Sequence, residues 1–337
     1  MAFRDMYTQF YPPKPKFTER HVPSQKGRVF LVTGGTIGGV GFELCKMLFG
    51  TGATVYLTSR SKNRGEEAIK AITESSPAPA TPGILKFIQL DLNDLASVKE
   101  AAAEFARQES KLDVLWNNAG TAPFQVQPSE TTVQGHEAIM GRNCIAALLL
   151  TQLLLPQLRA AVAAQMTPGS VRVIWTASIA ADHDSGLDPN GIDIDQLGTV
   201  HPSRTRNYAL SKVGNWFLAR EMARRYGSEG ILSVVQNPGN TSTHGYDTAP
   251  PVLVFFMKAL ILQKPKLAGY TELFAGLSPD VKPEHGGMYI MPWGRIRRDE
   301  DCPRQDIIRG IKPEEQGGLG NARRFWEWCE LQAKDYM

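Results

Sequence analysis

Cysteine is scarce in this chain, and its placement speaks against a cysteine-ligated metal site. The four cysteines, Cys45, Cys144, Cys302 and Cys329, lack the paired spacing of a zinc or iron–sulfur site, so no metal is expected and all four are expected to be reduced thiols. Net charge is also nearly absent. Thirty-seven basic residues against 34 acidic ones leave a formal +3, and no basic cluster interleaves with aromatics, so nucleic acid is not an expected partner. The opening residues, "MAFRDMYTQFYPPKPKF", have no apolar core of the kind a secretion signal carries, which makes a cytoplasmic location the default. Their paired prolines predict an extended surface tail over 1–26. The apolar stretch "PPVLVFFMKALIL", at about a dozen apolar residues, is too short to span a bilayer. No internal repeat of solenoid length is found.

What is present is a strand, a glycine turn, a helix and a second strand between Gly27 and Ser61. Val29, Phe30, Leu31 and Val32 form a short apolar run suited to a parallel strand buried on both faces. Val40, Leu44, Met47 and Leu48 then recur at helical spacing. Between them Gly35, Gly39 and Gly41 satisfy a Gly-x-x-x-Gly-x-Gly pattern, which allows backbone amides to approach a pyrophosphate at a helix N-terminus. Alone, such a pattern also fits a plain flexible turn. The end of the second strand carries no acidic residue to accept a ribose hydroxyl. Arg60 stands there instead, with Lys62 and Arg64 close behind, a set that suits a 2'-phosphate and favours NADP(H), the alternative being a solvated basic start to the next helix.

Further along, Tyr208 and Lys212 are four residues apart and would share one face of a helix. An ammonium beside a phenol favours the phenolate, so Tyr208 could act as a general acid/base near neutrality. Ser178, in "VIWTAS", could donate to a substrate oxygen on which charge develops. With nine tyrosines in the chain, a Tyr-x-x-x-Lys spacing is easily met by chance, and its weight comes from the company it keeps.

That company is specific. The segments "TGGTIGGVG", "NNAG" at Asn117 to Gly120, Ser178, "YALSK" and "NPGNTST" occur in the order found in short-chain dehydrogenases/reductases, and the chain resembles that family from about Gly27 to Gly245. "GIDIDQL", "SKVGNWFLAREMARRYG", "FYPPKPKFTE" and "MYIMPWGRI" look like its retinol-dehydrogenase-like and WW-domain-oxidoreductase-like branch, with its fungal members. The resemblance implies a catalytic set of Asn143, Ser178, Tyr208 and Lys212. It also implies a cofactor set comprising Gly34, Gly35, Thr36, Gly39, Val40 and Gly41 in the turn, Arg60, Asp91 and Leu92 beside the adenosine, Asn118, Ala119 and Gly120 after the fourth strand, Tyr208 and Lys212 on the ribose, and Pro238, Gly239 and Thr241 or Thr243 over the nicotinamide. Bland readings stand beside these roles: Asn118 as a turn cap, Asp91 as a helix N-cap, Pro238 as a strand end. One departure is visible. Four residues rather than three separate Gly34 from Gly39, so either Gly35 replaces the first glycine or the loop bulges and Thr36 offers a hydroxyl.

The expected architecture is a single α/β domain over 27–300, a Rossmann-type doubly wound parallel sheet of seven strands in the order 3-2-1-4-5-6-7, whose last strand lies near Gly287 to Met291. A substrate lid, in part packed internally, is expected at about 242–280, with monotopic membrane contact as the secondary reading of that stretch. Residues 301–337 should form a helical extension packed through Phe325, Trp328 and Leu331. The expected function is reduction of a lipophilic ketone or aldehyde by NADPH, or oxidation of the matching alcohol. The rivals are a non-redox dehydration or cyclisation on the same scaffold and a non-catalytic NADP-binding regulator. Retinoid-like, steroid-like and secondary-metabolite carbonyls all fit, and homo-oligomerisation stays open.

Overall fold

The computed structural model of the chain describes residues 2–75, 78–164, 167–183, 187–199, 201–243, 245 and 249–337. After an N-terminal helix α1 (Ala2–Phe10), strands and helices alternate: β1 (Val29–Val32), α2 (Val40–Phe49), β2 (Thr54–Ser59), α3 (Lys62–Thr73), β3 (Ile84–Gln89), α4 (Leu95–Gln108) and β4 (Val114–Asn117). Helix α5 (Ala138–Leu153), which contains a π-helical turn at Gly141–Ile145, is followed by α6 (Leu155–Ala164), β5 (Val171–Thr176), α7 (Arg204–Tyr226) and β6 (Ile231–Gln236). The chain ends with α8 (Pro251–Leu260), α9 (Pro265–Leu277), β7 (Tyr289–Met291), β8 (Arg295–Arg297), α10 (Gln305–Ile311) and α11 (Asn321–Ala333).

The sheet order is β3-β2-β1-β4-β5-β6-β7-β8, so the sheet has eight strands, one more than expected. Seven are parallel and β8 is antiparallel to β7, pairing Tyr289 with Arg297 and Met291 with Arg295. Only three residues link β7 to β8, too few for the crossover a parallel neighbour requires, and Gly294 takes φ 91° to close the hairpin.

Side chains alternate across the sheet as a period of two demands. Along β1, Phe30 and Val32 enter a core with residues of α2, α3 and α9, whereas Val29 and Leu31 enter a larger core with residues of α4, α5, α7 and α11. Strand order reverses between β1 and β4, where β2 and β4 flank β1 on either side, and the carboxyl ends of parallel strands open a crevice at such a point.

Three expectations change. The first residues are helical rather than extended, and Gln9 is buried because Asn237 Nδ2 donates to its Oε1 at 2.8 Å. Of the stretch 242–280, α9 is a core helix: Ala268 to Gly276 is buried apart from Tyr270, and Gly276 leaves room for the Trp116 ring. Residues 244 and 246–248 of that stretch lie outside the described residues. In α11 the buried face is Ala322, Phe325, Trp326, Cys329 and Ala333, and Leu331 points outward. A strict three-residue spacing falls short of a 3.6-residue turn, so Leu331 drifts off the face that Phe325 begins. That face backs α7, where a Cβ on Gly214 would sit 2.7 Å from the Phe325 ring.

No single helix among the described residues is long and apolar enough to cross a membrane. The bent pair α5 and α6 meets the requirement by length and composition, but most of α5 is buried. All four cysteines are buried.

Candidate active site

The glycine turn is built from conformations only glycine tolerates well. Gly34 has φ 76° directly after β1, and Gly38 has φ 84° just before α2. Gly38, a position the motif reading passed over, is thus the second left-handed residue of the turn. Gly35 does not face the opening: its amide donates to Thr58 O at 2.9 Å, and a Cβ there would lie 2.7 Å from Leu57 Cβ. Gly41 is equally enclosed, since a Cβ would come within 2.5 Å of Gly34 O and 2.6 Å of Asn118 Nδ2. Gly34, Thr36, Gly39 and Val40 line the cleft itself. Gly39 N-caps α2 with no side chain bonded to the first-turn amides, which leaves those N–H groups as donors for an anion.

The cleft has a volume of about 690 Å³. At one end Arg60 and Arg64 reach it while Lys62 does not, and no carboxylate of β2 lies there. Asp91 and Leu92 line the same wall. Helix α4 is N-capped by Asp94, which accepts from Ala96 N, so Asp91 instead accepts from Asn93 N at 2.9 Å. Asn118, Ala119 and Gly120 form the floor, with Asn118 Nδ2 donating to Thr33 O at 2.7 Å and Ala119 N donating to Thr33 Oγ1 at 2.9 Å.

At the other end Ser178, Tyr208 and Lys212 face the cleft together, across from Pro238, Gly239, Thr241 and Thr243. Ser178 follows β5 and is held from behind by Tyr289, whose hydroxyl donates to Ser178 O at 3.0 Å. Tyr208 and Lys212 share one face of α7, with Lys212 Nζ 5.5 Å from the Tyr208 ring centre. Tyr208 packs against Val126, Ala138 and Ile139. Lys212 is only 4% exposed and donates to Thr176 O at 2.9 Å. Burial pushes its ammonium down to about 8, against the opposing pull of Cys144 and Glu272.

Asn143 does not line the cleft. It sits behind it in the π-helical turn, where its Oδ1 accepts from Thr121 N at 2.7 Å and its Nδ2 donates to Ser211 Oγ at 3.0 Å. A Cβ on Gly120 would lie 3.2 Å from Lys212 Nζ and 3.3 Å from Asn143 Oδ1, so a bare backbone here lets both side chains come close to it.

Sequence reasoning missed Arg142, which lines the cleft and donates from Nε and Nη2 to Asn93 Oδ1 at 2.9 and 2.7 Å. Its partners, Asn93 and Glu130, are 49 and 12 residues away in sequence, so no helical or strand spacing marks it. A second cavity of about 560 Å³ lies beside Glu137, Arg206 and Trp328 and holds none of the predicted site residues.

The family model described as short chain dehydrogenase matches residues 28–187. A short-chain dehydrogenase/reductase, iacJ, of Pestalotiopsis fici is 45% identical over 335 residues, 98% of each chain. A short-chain dehydrogenase/reductase of Phomopsis amygdali is 38% identical over 342 residues, 100% of this chain and 98% of the relative. Among solved structures, Pseudomonas aeruginosa RhlG in an NADP active-site complex superposes with a TM-score of 0.60 at 24% identity, covering 79% of this chain and 95% of that one. An NADPH-bound carbonyl reductase from chicken fatty liver gives 0.57 at 23% identity, covering 81% and 99%. At such identities the structural likeness establishes the fold.

Proposed function

The chain belongs to the short-chain dehydrogenase/reductase family, and from that premise we propose that it is an NADP(H)-dependent oxidoreductase acting on a lipophilic ketone or aldehyde, or on the matching alcohol. The observation that carries this reading is the convergence of Ser178, Tyr208 and Lys212 on the cleft that also receives the glycine turn and Arg60. The cradle fits a dinucleotide: left-handed Gly34, the uncapped amides of α2 and the narrow floor at Asn118 to Gly120 suit a diphosphate, and Arg60 suits a 2'-phosphate. When bound, a nicotinamide dinucleotide supplies or takes up the hydride.

The protein's own groups do the rest. Ser178 donates to the substrate oxygen as negative charge grows on it. Tyr208 gives that oxygen its proton in reduction and removes it in oxidation. Lys212, held at Thr176 O, favours the phenolate by charge. Asn143 fixes the Thr121 backbone and flanks Gly120 together with Lys212, so it positions the chain next to the ammonium. Met257 of α8 contributes an apolar wall, which supports a lipophilic substrate. The finer affinity to the retinol-dehydrogenase-like branch rests on "GIDIDQL" and on the segment that follows Tyr208.

Following NADPH absorbance with a panel of hydrophobic ketones and aldehydes tests this reading. Turnover should appear with at least one of them, and Tyr208→Phe should lower kcat by about 10²-fold or more. A Tyr208→Phe protein as fast as the wild type overturns the assignment.

A further inference from the structure

Glu272 lies on the far side of the sheet from the substrate, and the acid/base scheme above leaves it unused. It is fully buried on α9, packed beneath the carboxyl ends of β5 and β6. Its Oε1 accepts from Thr176 Oγ1 at 3.0 Å and from Gln236 Nε2 at 2.8 Å, while Oε2 has no hydrogen-bond partner among the described residues. A carboxyl group in this position is costly to keep, because an ion without a full set of donors in a dry interior is strongly disfavoured.

Thr176 links it to the site. The hydroxyl of this residue goes to Glu272, and its carbonyl accepts from Lys212 Nζ and Asn215 Nδ2, both at 2.9 Å. One residue at the end of β5 therefore contacts the buried carboxyl on one side and the buried ammonium on the other. We propose that Glu272 is a positioning residue for the Tyr208–Lys212 pair: it fixes Thr176 and, by its charge, keeps Lys212 protonated so that the ammonium can acidify the tyrosine. This rests on the acid/base reading of Tyr208 and Lys212.

The surroundings leave few competitors for that role. Lys212 is the one charged group acting electrostatically on Glu272 among the described residues. From β5 and β6 it meets Thr176 and Gln236, and from β4 the Trp116 indole donates to its main-chain oxygen at 2.9 Å. From α2, Glu43 lies beside Gly269, one turn away from Glu272. Lys212 in turn is faced by Cys144 of α5 and by Glu272. Burial pushes the Glu272 carboxyl up to about 8, opposed by the Thr176 hydroxyl and by Lys212. Burial pushes Lys212 down to about the same point. The two groups therefore exchange charge near the same pH: as Glu272 ionises it holds the proton on Lys212, and removing the carboxylate leaves Lys212 to lose that proton at lower pH.

The test uses the full chain without ligand. Tyrosinate absorbance is titrated against pH, and subtracting the curve of Tyr208→Phe isolates Tyr208. Glu272→Gln keeps the volume and an acceptor but cannot ionise; it should move the Tyr208 midpoint to higher pH by about one unit, a tenfold loss of phenolate on the rising limb. Thr176→Val, which keeps the carbonyl under Lys212, should move it less and in the same direction, and it serves if the Gln variant does not fold. With a lipophilic secondary alcohol and NADP⁺, the rising limb of kcat/KM should follow the same shift. If the Glu272→Gln curve superimposes on the wild type while Lys212→Met moves the midpoint, the role of Glu272 is overturned and the Tyr–Lys reading stands. If Lys212→Met also leaves the midpoint unmoved, that reading falls and this inference falls with it.

Discussion

Arg297 of β8 forms an ion pair with Asp182, and both side chains are buried. The Arg297 guanidinium also lies over the rings of Tyr289, at 4.3 Å, and Trp216, at 5.3 Å. Tyr289 in turn donates to the carbonyl of Ser178, four residues before Asp182. The hairpin of β7 and β8 thus anchors both ends of the segment that presents Ser178 to the cleft.

Breaking that pair on one side strands a charge in the core. Arg297→Met should cost about 3–5 kcal/mol in urea unfolding. Arg297→Met combined with Asp182→Asn should recover part of the loss, because the neutral amide no longer needs a counter-ion. Turnover in the single variant should fall more than cofactor affinity, since the loosened element is the one carrying Ser178.

Gly41→Ala places a methyl against Gly34 O and Asn118 Nδ2. The two groups close the turn over the sheet and cannot yield separately, so a destabilisation of about 1–3 kcal/mol is expected. Fluorescence titration with NADPH should show weakened binding. An unchanged affinity would mean that the turn does not cradle the cofactor.

Arg60→Ala removes the exposed guanidinium at the adenosine end of the cleft. NADPH affinity should fall by about 10–100-fold, the worth of a charge-assisted hydrogen bond, with NADH affinity nearly constant. Calorimetric titration of both cofactors separates the outcomes, and an equal loss for both rejects the 2'-phosphate role.

Acid should weaken the carboxy-terminal region through Asp306. Hydrogen bonds from Arg304, at 2.8 Å, hold its carboxyl down at about 2, helped by the Asn190 amide at 2.9 Å. A depressed carboxyl stabilises the fold above its unfolded value of about 3.9, and the contribution disappears as pH falls towards 2. The stability gap between wild type and Asp306→Asn should therefore be full at pH 6 and shrink below about pH 4. A gap independent of pH would reject this linkage.

The first half of the fold was legible because its signals are local. Val29 to Phe49 announces strand, turn and helix within a single stretch, and Tyr208 and Lys212 announce a shared helix face by their spacing. What escaped depends on contacts between distant segments. β8 is three residues long with arginine at both ends, a pattern that reads as solvated loop until Asp182 and Tyr289 are brought against it. Glu272 sits in a helix whose neighbours are mostly apolar or small, and only the sheet above it shows that its carboxyl faces inward. Gln9 lies in a stretch that reads as a tail, because nothing local signals its capture by Asn237. Thr36 and Gly38 show the same limit at short range, since a longer loop can be recognised from spacing but its left-handed residue cannot.

The packing of α11 behind α7 also bears on synthesis. Residues 204–226 leave the ribosome long before residues 321–333 exist, so for that interval Gly214 and its neighbours border an empty slot. A nascent chain with such an open apolar seam is a natural client for chaperones, and slowing translation over the last segment should prolong that vulnerability.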